Sequence, residues 1–426
     1  MNYLNEFLKT IKKNRLLFEN FLSLSTLRAM GYIIPLITLP YLVRVLGPDK
    51  FGLVMFAKAF IAYFVLFTEY GFRLSATREI SINKKNIDKV SEIFCSVYII
   101  KLILFLVSLI IFLLLISFIP RFSSEYLLYV FTFIMVLGNL IFPVWLFQGM
   151  QQMKYITIIN VIVKFLFIIP IFVFINHQAD YIYVPLINSG AYLVSGIIAL
   201  FSALFIFKIR IVYSFQSVLD QFKKGYYLFV STLFHSLYSN SNVFLLGLIS
   251  SNEMVGYYSS AEKLVTAFRD ILSPISQATY PHLSRLFDNS KEIGLRVLKK
   301  IGFLLSLFAL SISLSLLIFA PLIVRLILGE QFYPSVSVIR IMAILPFIMS
   351  LTNIFGTQGL LAFGRSKIIS KIVVIASLFH ILVFVVLTKT FSISGSALAV
   401  VLTESLVAIL CFGYLRKYII TKSIKA

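Results

Sequence analysis

Eight charged residues sit where charge is most expensive. Arg28, Lys58, Glu69, Arg73, Lys164, Glu262, Arg269 and Asp270 all fall inside long apolar runs. A charge at the centre of a bilayer costs roughly 3 kcal/mol or more, so it faces a cavity or a partner. Spacing groups these residues. At about 100° per residue, Lys58, Glu69 and Arg73 fall within about 60° of one another and form one polar stripe on a helix. Glu69 and Arg73 have the i,i+4 spacing of an ion pair. Glu262 and Arg269 share a helix face, with Asp270 beside them. Arg28 precedes Pro35 by two turns, and Lys164 stands in the middle of its run. Cationic groups held in a low-dielectric lumen select anions, and the arginine fork suits phosphate. Arg28, Lys58, Arg73, Lys164 and Arg269 are therefore the candidate substrate-binding groups. Glu69, Glu262 and Asp270 are the candidates for ion coupling or gating, with H+ or Na+ as the coupling ion. Mutual pairing for helix packing is the competing reading for Glu69–Arg73 and for Arg269–Asp270. There is no Walker A pattern, zinc spacing or dinucleotide loop, so no cofactor, metal or catalytic residue is expected.

Other polar groups read as structural. Lys101, Arg325 and Arg340 lie nearer the ends of their runs, where long basic side chains snorkel. Arg44 lies close to Asp49. The lone histidines His282 and His380 read as packing residues, and Trp145 as an anchor at the membrane interface. His235, Asn240 and Asn242 add polar weight to one further run. Cys95 and Cys411 are too few for a disulfide framework.

The elements that carry these residues follow from composition. The chain has 426 residues, 60% of them hydrophobic and only 13% charged, with a mean hydropathy of +0.97. Soluble domains carry about 25% charged residues, so a soluble enzyme is excluded. Continuous apolar runs such as Leu102–Ile119 and Ile368–Leu387 exclude the alternating pattern of a β-barrel. At about 20 apolar residues per crossing, twelve helical spans are expected, at 21–46, 51–77, 93–119, 124–149, 155–176, 181–207, 226–250, 253–284, 301–328, 333–363, 368–389 and 393–415. The breaks between them carry turn chemistry, as at Gly47-Pro48-Asp49, Pro120 and Gly364-Arg365. The net charge of +21 sorts by side. Alternate loops and both termini are basic, while the opposite loops hold only Lys50, Arg121 and Lys389. Both termini are thus expected in the cytoplasm. Lys9, Lys12, Lys13 and Arg15 precede an uncleaved first span. This placement of charge accounts for the basic balance through topology and lipid attraction, without nucleic acid.

Landmarks recur between the halves. Gly52 matches Gly256, Gln148-Gly149 matches Gln358-Gly359 and Ser189-Gly190 matches Ser394-Gly395, at offsets of 204, 210 and 205 residues. An even number of spans per half makes a parallel repeat about an axis along the membrane normal. The expected architecture is all-α and polytopic, in two six-helix lobes, 1–207 and 226–426, joined by a cytoplasmic linker at 208–225. Two such lobes enclose a cavity and rock for alternating access.

At residues 21–94 the run P-Y-L-x-R-V-L-G-x-x-x-F-G is followed by Y-G-F-x-x-S-A-T-R. These elements are Pro40 to Gly47, Phe51-Gly52, Tyr70-Gly71-Phe72 and Ser75 to Arg78. They resemble the start of Wzx-type O-antigen flippases, polysaccharide exporters of the superfamily that also holds the multidrug/toxin extruders and the lipid II flippases. The resemblance implies a MATE-like fold in the bacterial inner membrane. It also implies a substrate, an undecaprenyl-diphosphate-linked oligosaccharide moved from the cytoplasmic to the periplasmic leaflet. Polysaccharide polymerase or glycosyltransferase partners would dock on the basic inner loops. The oligomeric state stays open.

Three other classes compete. A cation/drug antiporter of the same superfamily would want a less basic lumen. Within the spans of this chain, basic side chains outnumber acidic ones. A membrane enzyme such as a polymerase needs a substantial external loop, and the outer loops here have a dozen residues or fewer. A non-transporting scaffold has no use for charge in corresponding helices of both halves.

Overall fold

A computed structural model describes residues 15–423, and every regular element among them is helical. In chain order these are α1 (Arg15–Glu69), α2 (Phe72–Asn83), α3 (Ile87–Phe118), α4 (Pro120–Ser123), α5 (Tyr126–Ile141), α6 (Val144–Gly149) and α7 (Met153–Phe174). A 3-10 turn at Gln178–Ile182 leads to α8 (Tyr183–Phe207). Then come α9 (Phe215–Ser239), α10 (Asn242–Ile249), α11 (Asn252–Asp270), α12 (Ser273–Asn289) and α13 (Lys291–Ile323), which runs on into a π-helical turn, Val324–Leu328. After α14 (Ser335–Met342) and α15 (Leu345–Thr352), a second π-helical turn at Asn353–Leu361 precedes α16 (Ser366–Ser423).

Two of these helices bend, α1 at Gly47 and α16 at Ser392. Gly47 stands where the sequence places a turn, and each bend divides two expected spans. Helix starts are set by local chemistry. The Asn86 side chain accepts from the Lys89 N–H at 3.1 Å and caps α3, and Ser251 accepts from Met254 at 3.4 Å and caps α11. In the loop before α8, Asp180 accepts the N–H groups of Asn176 and His177 at 2.9 and 2.8 Å. These two donors hold its carboxyl below the usual range.

Eight helical stretches among the described residues are long and apolar enough to cross a membrane. Their outward faces are apolar, as with Leu102, Ile103, Leu106, Ile110, Leu113 and Leu114 along α3. Surface of that kind has lipid, not water, as its solvent, so the chain is a multi-pass membrane protein. The expected spans 226–250 and 253–284 are not among the eight. Their helices carry Asn240, Asn242, Glu253, Glu262, Lys263, Arg269 and Asp270, which lower the apolar content. The second of them is also interrupted between Asp270 and Ser273.

The chain forms two compact units. The first holds residues up to Thr38 together with Ala57–Leu233, and the second holds Leu39–Phe56 together with the residues from Phe234 onward. The first has a core in which Trp145 packs between Phe94 and Tyr98, with ring centroids 5.7 and 6.0 Å away. Trp145 is only 1% exposed, which corrects its reading as an interface anchor: an indole enclosed by protein does not reach the headgroups. In the second unit, Phe287 stacks on Phe363 at 4.0 Å. Phe51 meets Phe332 edge-on, and Phe56 stacks on Phe244.

The segment 48–56 crosses the start of α11 at backbone contact. A Cβ on Gly52 would lie 1.8 Å from the Asn252 carbonyl oxygen, and one on Gly256 would lie 2.1 Å from that of Pro48. Only glycine fits either place. The contact is reciprocal at the 204-residue offset, since 48 pairs with 252 as 52 does with 256.

Candidate functional site

Each unit holds a polar cluster. In the first unit it forms where α1 ends. The Thr68 hydroxyl is turned back onto the Phe64 and Val65 carbonyls, at 3.0 Å each. Glu69 is the last helical residue, because Tyr70 and Gly71 take left-handed backbone angles (φ 44° and 76°). A side chain at 71 would strike Leu228 and Phe229 at 2.9 Å, so glycine is required there twice over, by backbone angle and by space. Released at the helix end, Glu69 Oε1 receives Lys101 Nζ at 2.6 Å. Lys101 also donates to the Asn139 carbonyl at 3.3 Å. One turn earlier on α3, the Tyr98 hydroxyl donates to the Ile141 carbonyl. One ion pair thus ties α1, α3 and α5 together.

This geometry corrects two expectations. Lys101 does not snorkel; its side chain is fully buried on Glu69. Glu69 does not pair with Arg73, because the break at Tyr70–Gly71 ends the helix that an i,i+4 pair requires. The stripe of Lys58, Glu69 and Arg73 is interrupted at the same point. Arg73 sits exposed in the first turn of α2.

Lys58 is exposed on α1 and Lys164 half-buried on α7. Neither they nor Arg73 make a side-chain hydrogen bond or ion pair among the described residues. The side chains of Arg28 and His282 lie outside the described residues. Arg44, in the second unit, donates to the Leu326 carbonyl. That bond ties it to the turn after α13, whereas Asp49 was the neighbour expected from sequence.

The second cluster joins α10, α11 and both limbs of α16. Glu262 Oε1 accepts from Asn242 Nδ2 at 2.8 Å and from the Tyr258 hydroxyl at 3.2 Å. The other end of the Asn242 amide faces His380 Nε2 at 2.9 Å. His380 Nδ1 meets the Thr403 hydroxyl at 3.0 Å, and that hydroxyl donates to the Ala399 carbonyl at 2.7 Å. Tyr258, Asn242, His380 and Thr403 are buried, and Glu262 is half-buried. His380 therefore does more than pack; both ring nitrogens are engaged.

Further along α11, Arg269 Nε donates to Asp270 Oδ1 at 2.7 Å, and Nη1 reaches Met349 Sδ at 3.6 Å. The adjacent pair forms as the packing reading has it. Near the second π-helical turn, Gln358 Nε2 donates to the Ser276 carbonyl at 2.6 Å, and Ser276 Oγ donates to Asn353 at 2.7 Å. The residues that sequence reasoning missed in these networks are mostly neutral. Asn242 and His380 are 138 positions apart, and the only local signal was a polar residue inside an apolar run.

The comparisons with known proteins agree with this architecture. The family model described as "Polysaccharide biosynthesis protein" matches residues 17–287. The chain is 36% identical to the "Putative O-antigen transporter" of Escherichia coli (strain K12) over 93% of its own length and 96% of that protein. A protein of the same description from Shigella dysenteriae is 26% identical, over 92% and 98%. Among solved structures, an inward-facing multidrug resistance MATE family transporter of the MOP superfamily superposes with a TM-score of 0.73 at 15% identity. That match covers 96% of this chain and 100% of the other. The lipid II flippase MurJ in an inward closed conformation gives 0.74 at 13% identity, over 92% and 87%. These likenesses fix the fold as that of the MATE and MurJ transporters. The chain belongs to the polysaccharide biosynthesis protein family, and within it to the Wzx-type branch that the run from Pro40 to Arg78 resembles.

Proposed function

We propose that this protein is a flippase for undecaprenyl-diphosphate-linked oligosaccharide, the repeat unit of O-antigen or a related surface polysaccharide. It carries the unit from the cytoplasmic to the periplasmic leaflet of the bacterial inner membrane by ion-coupled alternating access. The observation that carries the reading is the 36% identity to an O-antigen transporter across nearly the whole of both chains. The MurJ-like fold supports it, because a lipid-linked glycan is a substrate such a fold accommodates. In this reading the chain has twelve spans, lobes at 1–207 and 226–426, and cytoplasmic termini, and it performs no catalysis. The fold alone does not separate a glycan flippase from a drug antiporter, since both solved relatives superpose equally well.

The substrate carries a diphosphate, and Lys58, Arg73 and Lys164 are basic groups within the expected spans of the first unit that make no ion pair among the described residues. A cation that no carboxylate neutralises retains its attraction for phosphate. A hydrogen bond to a charged group contributes about 1.5–3 kcal/mol, which is roughly a tenfold to hundredfold change in affinity. Lys58→Glu is accordingly expected to abolish surface polysaccharide while the protein stays in the membrane, and Lys58→Arg to retain it. Normal polysaccharide with Lys58→Glu would remove this residue from the binding path.

The decisive test uses a deletion strain with intact cytoplasmic glycan synthesis. The leaflet on which the undecaprenyl-diphosphate-linked unit accumulates is determined with and without the chain. Cytoplasmic accumulation relieved by the chain is the expected result. A unit already periplasmic in its absence would assign the chain to a later step.

A further inference from the structure

The linker at 208–225 is expected from sequence to be a cytoplasmic connection, yet its outer surface is apolar. Ile211, Tyr213, Phe215, Leu219, Phe222 and Tyr226 are all exposed, Ile211 to 98%. At about 100° per residue, the last four fall within about 60° of one another and form one stripe along α9. The opposite face, with Ser217, Gln221 and Gly225, is buried in the first unit. It is seated on the break after α1. Tyr70 stacks on Phe222 and Phe229 at 4.8 and 5.0 Å, and a Cβ on Gly225 would lie 2.8 Å from the Tyr70 ring. The Tyr70-Gly71-Phe72 element therefore holds α9.

Two points fix the depth of this segment. Near its start, Arg210 pairs with Asp88 at 3.0 Å and its backbone N–H donates to Ser91 Oγ at 3.1 Å. The Val212 N–H then donates to Cys95 Sγ at 3.5 Å. The chain thus follows α3 from its charged first turn into the apolar run that opens after Glu92. Near its end, Lys224 pairs with Glu79 at 3.0 Å, just beyond the expected span 51–77. Between these pegs the segment runs along the edge of the apolar zone, with its stripe turned away from the unit. The stripe continues the lipid-facing end of α8, where Phe205 and Ile206 are exposed.

We infer that residues 208–226 lie in the plane of the bilayer surface and bind anionic phospholipid. The stripe enters the acyl boundary, and Lys208 and Lys223 hold headgroup phosphate. Helices with one apolar face and basic flanks take this position. The segment has four basic residues, Lys208, Arg210, Lys223 and Lys224, against one acid, Asp220. Asp220 accepts from Gln216 at 3.2 Å. Arg210 and Lys224 are the pegs, whereas Lys208 and Lys223 are exposed and make no ion pair among the described residues. Under the cytoplasmic placement of the basic loops, the leaflet is the inner one. Lipid binding here is independent of what the chain transports.

The test places a reporter in the stripe. Phe215→Trp exchanges one exposed aromatic for another. The single native tryptophan, Trp145, is enclosed, so the wild type gives the baseline. The full chain is reconstituted in vesicles of phosphatidylcholine and phosphatidylglycerol, with bromine on one lipid at a time, high or low on its acyl chains. Shallow bromine is expected to quench the introduced indole more than deep bromine. Brominated phosphatidylglycerol is expected to quench more than brominated phosphatidylcholine at the same mole fraction. Lys223→Gln leaves the seat on Tyr70 intact and is expected to lower that preference about fivefold, while Lys223→Arg retains it. An indole quenched at neither depth lies in water or beneath protein, and would overturn the proposal. Equal quenching by the two lipids would do so too. Quenching that falls as more chains are packed into each vesicle would assign the stripe to a second copy instead. None of these readouts requires transport.

Discussion

Glu69→Ala is expected to destabilise the protein more than Lys101→Met, although each removes the same ion pair. Lys101 is fully buried and Glu69 is 27% exposed. Removing the carboxylate strands an ammonium group with only the Asn139 carbonyl for company. Removing the ammonium leaves a carboxylate that still reaches solvent. Breaking a buried pair by deleting one partner costs about 3–5 kcal/mol, whereas replacing both by apolar groups of similar volume is often close to neutral. The double variant Glu69→Leu with Lys101→Met should therefore recover most of the stability lost by Glu69→Ala. Thermal unfolding of the four proteins in one detergent, read as a double-mutant cycle, measures this directly. Equal losses in the two single variants, or a double variant worse than either, would show that the pair does not anchor α1 to α3 and α5.

The second large effect is expected at the crossing of 48–56 with α11. Gly52→Ala and Gly256→Ala each drive a methyl group into a backbone carbonyl, at 1.8 and 2.1 Å. No side-chain rotation relieves such a clash, so the helices must separate. Overpacking a well-filled core costs about 1–3 kcal/mol, and a backbone clash belongs at the top of that range. Because the contact is reciprocal, the two variants should lose similar stability, and the double variant should lose less than their sum. The check is unfolding midpoint together with surface polysaccharide. A neutral Gly52→Ala beside a damaging Gly256→Ala would contradict the reciprocal arrangement.

Much of the fold was legible because the bilayer imposes long apolar helices, and the breaks at Gly47, Pro120 and Gly364 were visible as turn residues. The polar helices between Phe215 and Asn289 were harder to place, because hydropathy loses its force where charges accumulate. The site was legible as a list of residues and not as a set of partners. Glu69 and Arg73 satisfied the helical spacing rule, but the left-handed angles at Tyr70 and Gly71 withdrew the helix on which the rule depends. Lys101 looked like a snorkelling residue because nothing in a linear sequence shows that Glu69 lies across from it. His380 showed only as a lone polar residue in an apolar run, since its partners Asn242 and Thr403 come from two other stretches of chain.

The reciprocal glycines define a register of 204 residues along the sequence, and that register extends beyond them. Counted at the same 204-residue offset, Ala57 falls on Ala261 and Lys58 falls on Glu262. The same register position thus holds a cation without an ion-pair partner among the described residues at 58 and a hydrogen-bonded acid at 262. Exchanging the two residues, Lys58→Glu with Glu262→Lys, would conserve composition and net charge while reversing which half holds the base and which the acid. Positions matched at this offset thus share the same close backbone approach at Gly52 and Gly256 and differ in charge at Lys58 and Glu262.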